Sequence, residues 1–453
     1  MELKDVRSIY FIGIGGIGMS ALARYFYRRG VAVAGYDRTE TELTRALAAE
    51  GMNIRYHEDA TTLPPTDLVV YTPAVPAAHA ELRYFQGQGY PVYKRSEVLG
   101  LISRGMRAIA IGGTHGKTTT TTLTTHLVRS AGIDASAFLG GISRNLGSNF
   151  VAGLDDLVVV EADEYDRSFL RLDPDIAVIM AMDPDHLEIY GNHENMVETG
   201  FRAFARKIKP GGKLLLRYDL EHYFPASDAY PTPETFGVGG GLHRSDNIRV
   251  EDGYFVFDYE SPLANLKGLR HPHPGRHNVE NATAAITAAL IAGASPESIQ
   301  EGLLTFQGIG RRFEFIIRSD DRIYIDDYAH HPAELEAAIG AARQLYPGQK
   351  LTGVFQPHLY SRTNDLADGF AAALDQLDEA LLLDIYPARE EPMPGVSSAM
   401  IKDRMKNPNC TLLGKAELPE AIRQRNPRLL LTMGAGDIDT FVEPIKQILL
   451  TGM

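Results

Sequence analysis

Residues 109–120 read Ile-Ala-Ile-Gly-Gly-Thr-His-Gly-Lys-Thr-Thr-Thr, an apolar run broken by three glycines and followed by a Lys-Thr pair. The run predicts a buried strand that turns sharply into a helix, because Gly112, Gly113 and Gly116 allow backbone conformations closed to other residues. The turn reads as a phosphate cradle. Inward-facing amides and the positive end of the helix attract anions, Lys117 reaches the terminal phosphates, and Thr118 is placed to ligate Mg²⁺. Counting back from Gly116, the place of the first glycine in the common G-x-x-x-x-G-K-[ST] pattern holds Ile111, so this loop is tighter by one residue.

At 453 residues the chain exceeds one ordinary core, and about 150 residues per domain predicts about three domains. A net charge of −13 without any Lys/Arg-rich run argues against a nucleic-acid surface and for anion binding through loops, helix ends and a few cations. The single cysteine, Cys410, cannot form an internal disulfide. The apolar run near Ile9 is cut by Gly13, Gly15, Gly16 and Gly18, well short of the roughly 20 residues of a membrane span. The expected setting is therefore the reducing cytoplasm, with the oligomeric state left open.

Three times the chain restarts with a short apolar strand before chemically loaded residues, at 8–12, 108–111 and 322–325. In the first segment, strands at 8–12, 32–36 and 67–71 alternate with helices at 16–29 and 40–50, as a parallel-sheet domain requires. A boundary is expected near Arg104-Gly105. The second segment adds strands at 157–160 and 176–181, a Gly/Pro/Asp/Tyr-rich stretch at 217–267 expected to be irregular or antiparallel, and a helix at 279–292. The third alternates strands at 322–325, 351–355, 380–383 and 428–432 with helices at 333–345 and 365–377.

Gly13-Ile14-Gly15-Gly16-Ile17-Gly18, with Asp37 ending the next strand, matches the dinucleotide fingerprint G-x-G-x-x-G. The geometry binds any pyrophosphate, since glycines and a helix N-terminus recognise phosphate oxygens rather than a nicotinamide ring. Glu161-Ala162-Asp163-Glu164 and Asp183-Pro184-Asp185-His186 each follow an apolar strand, where acids and an imidazole can hold Mg²⁺ or stand as exposed acidic turns. The missing Cys ligands and His spacings argue against zinc. His277, Asn278 and Asn281 cluster at a helix start, where Asn278 also fits a plain N-cap. Arg311-Arg312, Asp326-Asp327-Tyr328-Ala329-His330-His331 and the stretch 356–363 suggest a polar cleft.

Gly-Thr-His-Gly-Lys-Thr-Thr, Glu-Ala-Asp-Glu, Asp-His-Leu-Glu, Gly-Arg-His-Asn-Val-x-Asn-Ala, Arg-Arg-Phe-Glu and Asp-Asp-Tyr-Ala-His-His-Pro, in this order, resemble the ATP-dependent Mur ligases of bacterial peptidoglycan synthesis along nearly the whole chain. Stretches 13–20, 355–363 and 385–390 resemble the branch that joins L-alanine to UDP-N-acetylmuramate. The resemblance implies an α/β protein of three domains: a Rossmann-like UDP-binding domain (1–104), a central P-loop ATPase-like domain (105–312) and a Rossmann-like domain (313–453) that brings the amino acid and closes on ATP. It implies UDP-sugar binding by Gly13, Gly15, Gly16, Ile17, Gly18 and Asp37. ATP would meet Gly113, Thr114, His115, Gly116, Lys117, Thr118, Thr119, His277, Asn278, Asn281, Arg312 and Asp327.

Mg²⁺ would meet Thr118, Glu161 and His186, and L-alanine would meet Tyr328, His330 and Arg362. The implied catalytic set is Lys117, Glu161, His186, Arg312 and His330, with His330 a candidate to deprotonate the amine and equally placed for a structural role. The chain departs from relatives by lacking a lysine across 187–206 and by carrying Leu359 where many alanine-adding members have arginine. A ligase for a larger amine, an NAD-dependent oxidoreductase on the Gly13 loop and a non-catalytic nucleotide-binding module are the rival readings. The oxidoreductase leaves Lys117, Thr118, Glu161 and Asp327 unexplained.

Overall fold

A computed structural model describes residues 3–72, 74–165, 167–184, 187–388 and 390–451. Three sheets follow one another along the chain. The first is parallel throughout, with β1 (Ser8–Ile12), β2 (Ala32–Tyr36), β3 (Asn53–Arg55), β4 (Leu68–Tyr71) and β5 (Val92–Lys94) in the order β3-β2-β1-β4-β5. The order reverses at β1, so its carboxyl end, where Gly13 begins, is the switch point at which such sheets bind ligands.

The second sheet contains β6 (Arg107–Gly112), β7 (Ser136–Ser143), β8 (Ser148–Val151), β9 (Leu157–Ala162), β10 (Ile176–Ile179), β11 (Lys213–Arg217), β12 (Glu234–Val238), β13 (His243–Glu251), β14 (Tyr254–Glu260) and β15 (Asn265–His271). Its order is β15-β14-β13-β12-β11-β10-β6-β9-β7-β8. β6, buried and flanked by β9 and β10, delivers the phosphate loop at the sheet's centre. The third sheet runs β16-β17-β21-β18-β19-β20, from β16 (Glu314–Arg318), β17 (Ile323–Asp327), β18 (Leu351–Phe355), β19 (Glu379–Leu383), β20 (Cys410–Leu413) and β21 (Leu429–Met433), with only the β16–β17 pair antiparallel.

The chain divides into two compact units. One comprises residues 1–248, 257–270 and 276–307, and the other 249–256, 271–275 and 308–453. Within the first unit the first two sheets share one core, in which Phe26 and Ile102 join Phe138, Phe150 and Phe204. The second unit has its own core around Tyr324, Val354, Leu381 and Leu430. Among the described residues no helix is long and apolar enough to cross a membrane.

Several elements differ from the sequence expectation. The stretch 217–267, expected to be irregular or antiparallel, is regular sheet: β11, β12 and β13 pair in parallel, β14 and β15 follow as neighbours, and the link 239–242 can return so quickly because Gly239 and Gly241 take φ of 75° and 97°. The helix expected at 279–292 is Arg276–Ala292, because Pro274 and Gly275 (φ 97°) break the chain immediately before it; Asn278 is thus inside the helix and is not its N-cap. The helix expected at 365–377 is Tyr360–Leu374. Its polar first turn is held by a distant carboxylate, Glu390, which accepts Ser361 N at 3.0 Å and Ser361 Oγ at 2.5 Å.

Candidate active site

Beyond β6, Gly113 and Gly116 adopt φ of 134° and 80°. Neither could carry a side chain: a Cβ would lie 2.7 Å from Ala181 N at the first and 2.6 Å from Asn281 Oδ1 at the second. Thr114 N donates to Ala181 O at 3.0 Å and Asp183 N to Thr114 Oγ1 at 3.1 Å, tying the loop to the end of β10. His115 is exposed, with Nε2 3.8 Å from Asp183. Helix Lys117–Ser130 starts with Gly116 as an N-cap that has no side-chain partner, so its first amides, through Thr119, face a potential anion. Lys117 Nζ lies 2.9 and 2.8 Å from the two oxygens of the buried Glu164, and 3.8 Å from Asp163.

Glu161 ends β9 beside Ile111 of β6. Thr118 Oγ1 donates to its Oε1 at 3.1 Å and Gly140 N to its Oε2 at 3.0 Å. Burial pushes the Glu161 carboxyl upward, against the pull of Thr118 and Lys117. A carboxylate and a hydroxyl side by side at a phosphate loop are the hard oxygen donors that suit Mg²⁺, which takes one or two carboxylates and completes its shell with phosphates and water. No group of three or more His, Cys, Asp or Glu among the described residues could hold a metal by itself. His186 lies outside the described residues. Gly140 was not anticipated from sequence, although any Cβ there would overlap the Glu161 carboxylate.

The start of helix Arg276–Ala292 reaches the same loop. Asn281 Oδ1 abuts Gly116, and its Nδ2 donates to Asn278 Oδ1 at 3.3 Å. His277 is exposed in the first turn of that helix. Lys117, Thr118, Glu161, Asn278 and Asn281 therefore form one constellation, and His277 stands beside Asn278 in the same helix turn.

At the switch point of the first sheet, Gly13 (φ 86°) and Ile14 donate to Tyr36 O at 2.7 and 3.0 Å. Gly15 N donates to Asp37 Oδ2 at 2.7 Å and Thr39 N to Oδ1 at 3.2 Å, so Asp37 shapes the loop. Gly16 caps helix Ile17–Arg28 without a side-chain bond. Gly18 leaves room for Arg95, whose Nη1 would lie 2.8 Å from a Cβ there. Arg95 is a cation the sequence reading passed over, signalled only by the Lys94-Arg95 pair after β5.

The remaining candidates gather in the second unit. Arg311 (φ 60°) bonds Asp326 at 3.1 Å and Gly434 O at 2.5 Å, whereas the Arg312 side chain makes no such bond among the described residues. Asp327 ends β17, accepting Phe313 N at 2.6 Å and Ala329 N at 2.7 Å. Burial holds its carboxyl up at about 6 despite those amides. Tyr328 is exposed, and His330 Nδ1 donates to Tyr328 O at 3.0 Å with Glu334 3.3 Å away.

The His330 ring lies 6.2 Å from that of His358, which accepts from Arg362 Nη1 at 3.3 Å and stacks on Tyr386 at 5.7 Å. Burial, Arg362 and His330 together disfavour the charged form of His358. His358 lies in the stretch 356–363 and Tyr386 in the stretch 385–390 that the sequence marks out, and a bridge between the segments after β18 and β19 brings the two together.

Three family descriptions match the chain in succession: "Mur ligase family, catalytic domain" over residues 8–107, "Mur ligase middle domain" over 111–289 and "Mur ligase, glutamate ligase domain" over 311–436. Among similar proteins, the UDP-N-acetylmuramate–L-alanine ligase of Cytophaga hutchinsonii is 45% identical over 98% of this chain and 97% of its own. The ligase of the same description from Porphyromonas gingivalis strain W83 is 46% identical over 98% of this chain and all of its own, 100%. Among solved structures, UDP-N-acetylmuramate-alanine ligase MurC from Thermotoga maritima superposes with a TM-score of 0.80 at 28% identity, covering 98% of this chain and 100% of that one. A murein peptide ligase from Psychrobacter arcticus shares the fold at a TM-score of 0.63, 24% identity and 98% of each chain.

Proposed function

The chain belongs to the Mur ligase family, and we propose that it joins L-alanine to the lactyl carboxylate of UDP-N-acetylmuramate, consuming ATP and releasing ADP and phosphate, in the making of a peptidoglycan precursor. The observation that carries the chemistry is the Gly113–Lys117 cradle with Glu161 and Thr118 side by side at its mouth. The relatives' shared description supports the choice of substrates. The division into 1–104, 105–312 and 313–453 follows the three sheets, and the reaction belongs where ATP is made available, in the cytoplasm.

A carboxylate is a poor electrophile. The lactyl oxygen therefore attacks the γ-phosphorus of ATP, ADP leaves, and the resulting acyl phosphate is open to an amine. The amides of 113–119 and Lys117 hold the phosphates and balance the charge of the transferring group, with Lys117 exchanging Glu164 for phosphate. Thr118 and Glu161 would hold Mg²⁺, which supplies charge neutralisation between phosphates; His186 is assigned to a second ion by resemblance alone. His277, Asn278 and Asn281 receive the nucleoside, and Arg312 and Asp327 are assigned to ATP from the second unit. Gly13, Gly15, Gly16, Ile17 and Gly18 receive the UDP pyrophosphate around the loop that Asp37 braces.

L-alanine attacks as the free amine. Arg362 takes its carboxylate, Tyr328 borders it and His330 accepts its proton; the acyl carbon–oxygen bond to phosphate breaks as the amide forms. ADP release with purified protein, UDP-N-acetylmuramate and each amino acid in turn tests the reading. L-Alanine should give the highest kcat/KM, and Lys117→Ala should lower turnover by about 100-fold or more while the fold, read by circular dichroism, is kept. ADP release at the parent rate by the variant would remove Lys117 from the site.

A further inference from the structure

The amino-terminal edge of the first sheet, opposite the Gly13 loop, holds a cavity of about 850 Å³ that the ligase reaction does not use. It opens where the chain enters β1 and β2 and where helix Arg95–Gly105 passes into β6. Its walls are apolar, with Phe26, Val31, Leu101, Ile102 and Met106 among them. Its cationic groups are Arg7, Arg29 and Arg104, and among the described residues no Asp or Glu lines it. In a chain of net charge −13, a pocket lined by three guanidiniums and, among the described residues, by no carboxylate is a local reversal of sign.

Two of those cations have no direct ion-pair partner among the described residues, although the Asp67 carboxylate feels the Arg7 charge. Arg104 pairs with Asp173 at 3.0 Å, but Arg7 and Arg29 form no ion pair among the described residues. Asp67 accepts the backbone amides of Arg7 and Ser8, each at 2.9 Å. Arg29 lies over the Tyr25 ring at 3.9 Å, which fixes the guanidinium at the rim without neutralising it. The floor is rigid as well: Lys209 Nζ donates to Ser103 O at 3.0 Å, Met106 O at 2.6 Å and Asp175 Oδ2 at 3.0 Å, pinning the link between the two sheets.

We propose that this cavity binds an amphiphilic anion, a hydrocarbon body ending in one phosphate or carboxylate, with the body against Phe26, Leu101 and Ile102 and the charge between Arg7 and Arg29. The volume falls within the roughly 300–1,000 Å³ of small-molecule pockets, and an apolar lining with a few convergent polar groups is their usual make-up. A neutral hydrocarbon would leave the guanidiniums unused, and a small inorganic anion would leave the apolar walls wet.

The full chain, with UDP-N-acetylmuramate and a non-hydrolysable ATP analogue saturating the nucleotide sites, is titrated calorimetrically with dodecyl phosphate below its micelle concentration. One saturable site is expected. Dodecyltrimethylammonium should bind at least about tenfold more weakly, and the Arg7→Ala/Arg29→Ala variant should lose about tenfold in affinity for the phosphate while keeping its ligase rate. Leu101→Trp should abolish binding by filling the cavity; if it does not fold, the arginine variant decides. Equal binding of the two amphiphiles, affinity unchanged in the arginine variant, competition by the UDP sugar, or binding to phosphatidylglycerol vesicles alone would each overturn the assignment.

Discussion

Asp327 has both carboxylate oxygens engaged by backbone amides, yet burial still holds its protonation at about 6 against an ordinary 3.8. Since the folded value is the higher one, the folded protein holds this proton more tightly than the unfolded chain. The stability so gained is complete below about 3.8 and is lost as pH rises through about 6. Asp327→Asn, fixed in the neutral form, should therefore gain melting temperature relative to the parent as pH is raised from about 4.5 to about 7.5. A difference independent of pH would show that the two amides outweigh burial.

At the same scale, Lys117 and Thr118 were legible as candidates because one loop motif fixes their local geometry, and Glu161 because its acidic run follows an apolar strand. Gly140 and Arg95 were not, since each owes its place to a partner about 20 or more residues away.

Helices carry the next level, and here opposing magnitudes decide. Gly100 lies inside helix Arg95–Gly105, where alanine would ordinarily gain about 1 kcal/mol of helix stability. A Cβ at 100 would, however, overlap the Arg171 carbonyl oxygen, a backbone atom with little freedom to yield. Overpacking of this kind costs about 1–3 kcal/mol, so Gly100→Ala should be destabilising in denaturant titration; a rise in midpoint would mean the contact relaxes freely. Helix Lys117–Ser130 presents the opposite case.

Thr121 and Thr125 return their hydroxyls to carbonyls one turn back, at 2.8 Å each, whereas the buried hydroxyl of Thr124 has no partner. Thr124→Val keeps the shape and removes an unsatisfied polar group, so it should stabilise by about 1 kcal/mol, and destabilisation would reveal a bridging water. Element type was legible wherever apolar runs had a clean period. Boundaries shifted where a tertiary contact set them, as Glu390 does for the first turn of helix Tyr360–Leu374.

Across the whole molecule, Lys117 and Glu161, proposed above for the phosphates and their metal ion, belong to one compact unit and Arg362 to the other. The substrates should therefore respond separately to substitutions in the two units. Arg362 stands in the first turn of its helix beside the uncharged Leu359, touches His358 Nδ1 and forms no ion pair among the described residues, leaving its charge for an incoming carboxylate. Leu359 itself holds φ of 72°, a conformation uncommon for a residue with a side chain, pinned by its amide on Tyr386 O at 2.9 Å and its carbonyl on Thr363 N at 3.1 Å. That pinned backbone orients the turn from which Arg362 projects.

Arg362→Ala should raise the KM for L-alanine about tenfold or more, the worth of a charge-assisted contact of about 1.5–3 kcal/mol. The KM for ATP should stay within about twofold, because the phosphates are held by the other unit. Steady-state kinetics with each substrate varied in turn separates these outcomes. An alanine KM left unchanged would move the carboxylate site away from Arg362, and equal rises for both substrates would mean that the side chain supports the assembled site as a whole rather than the amino acid.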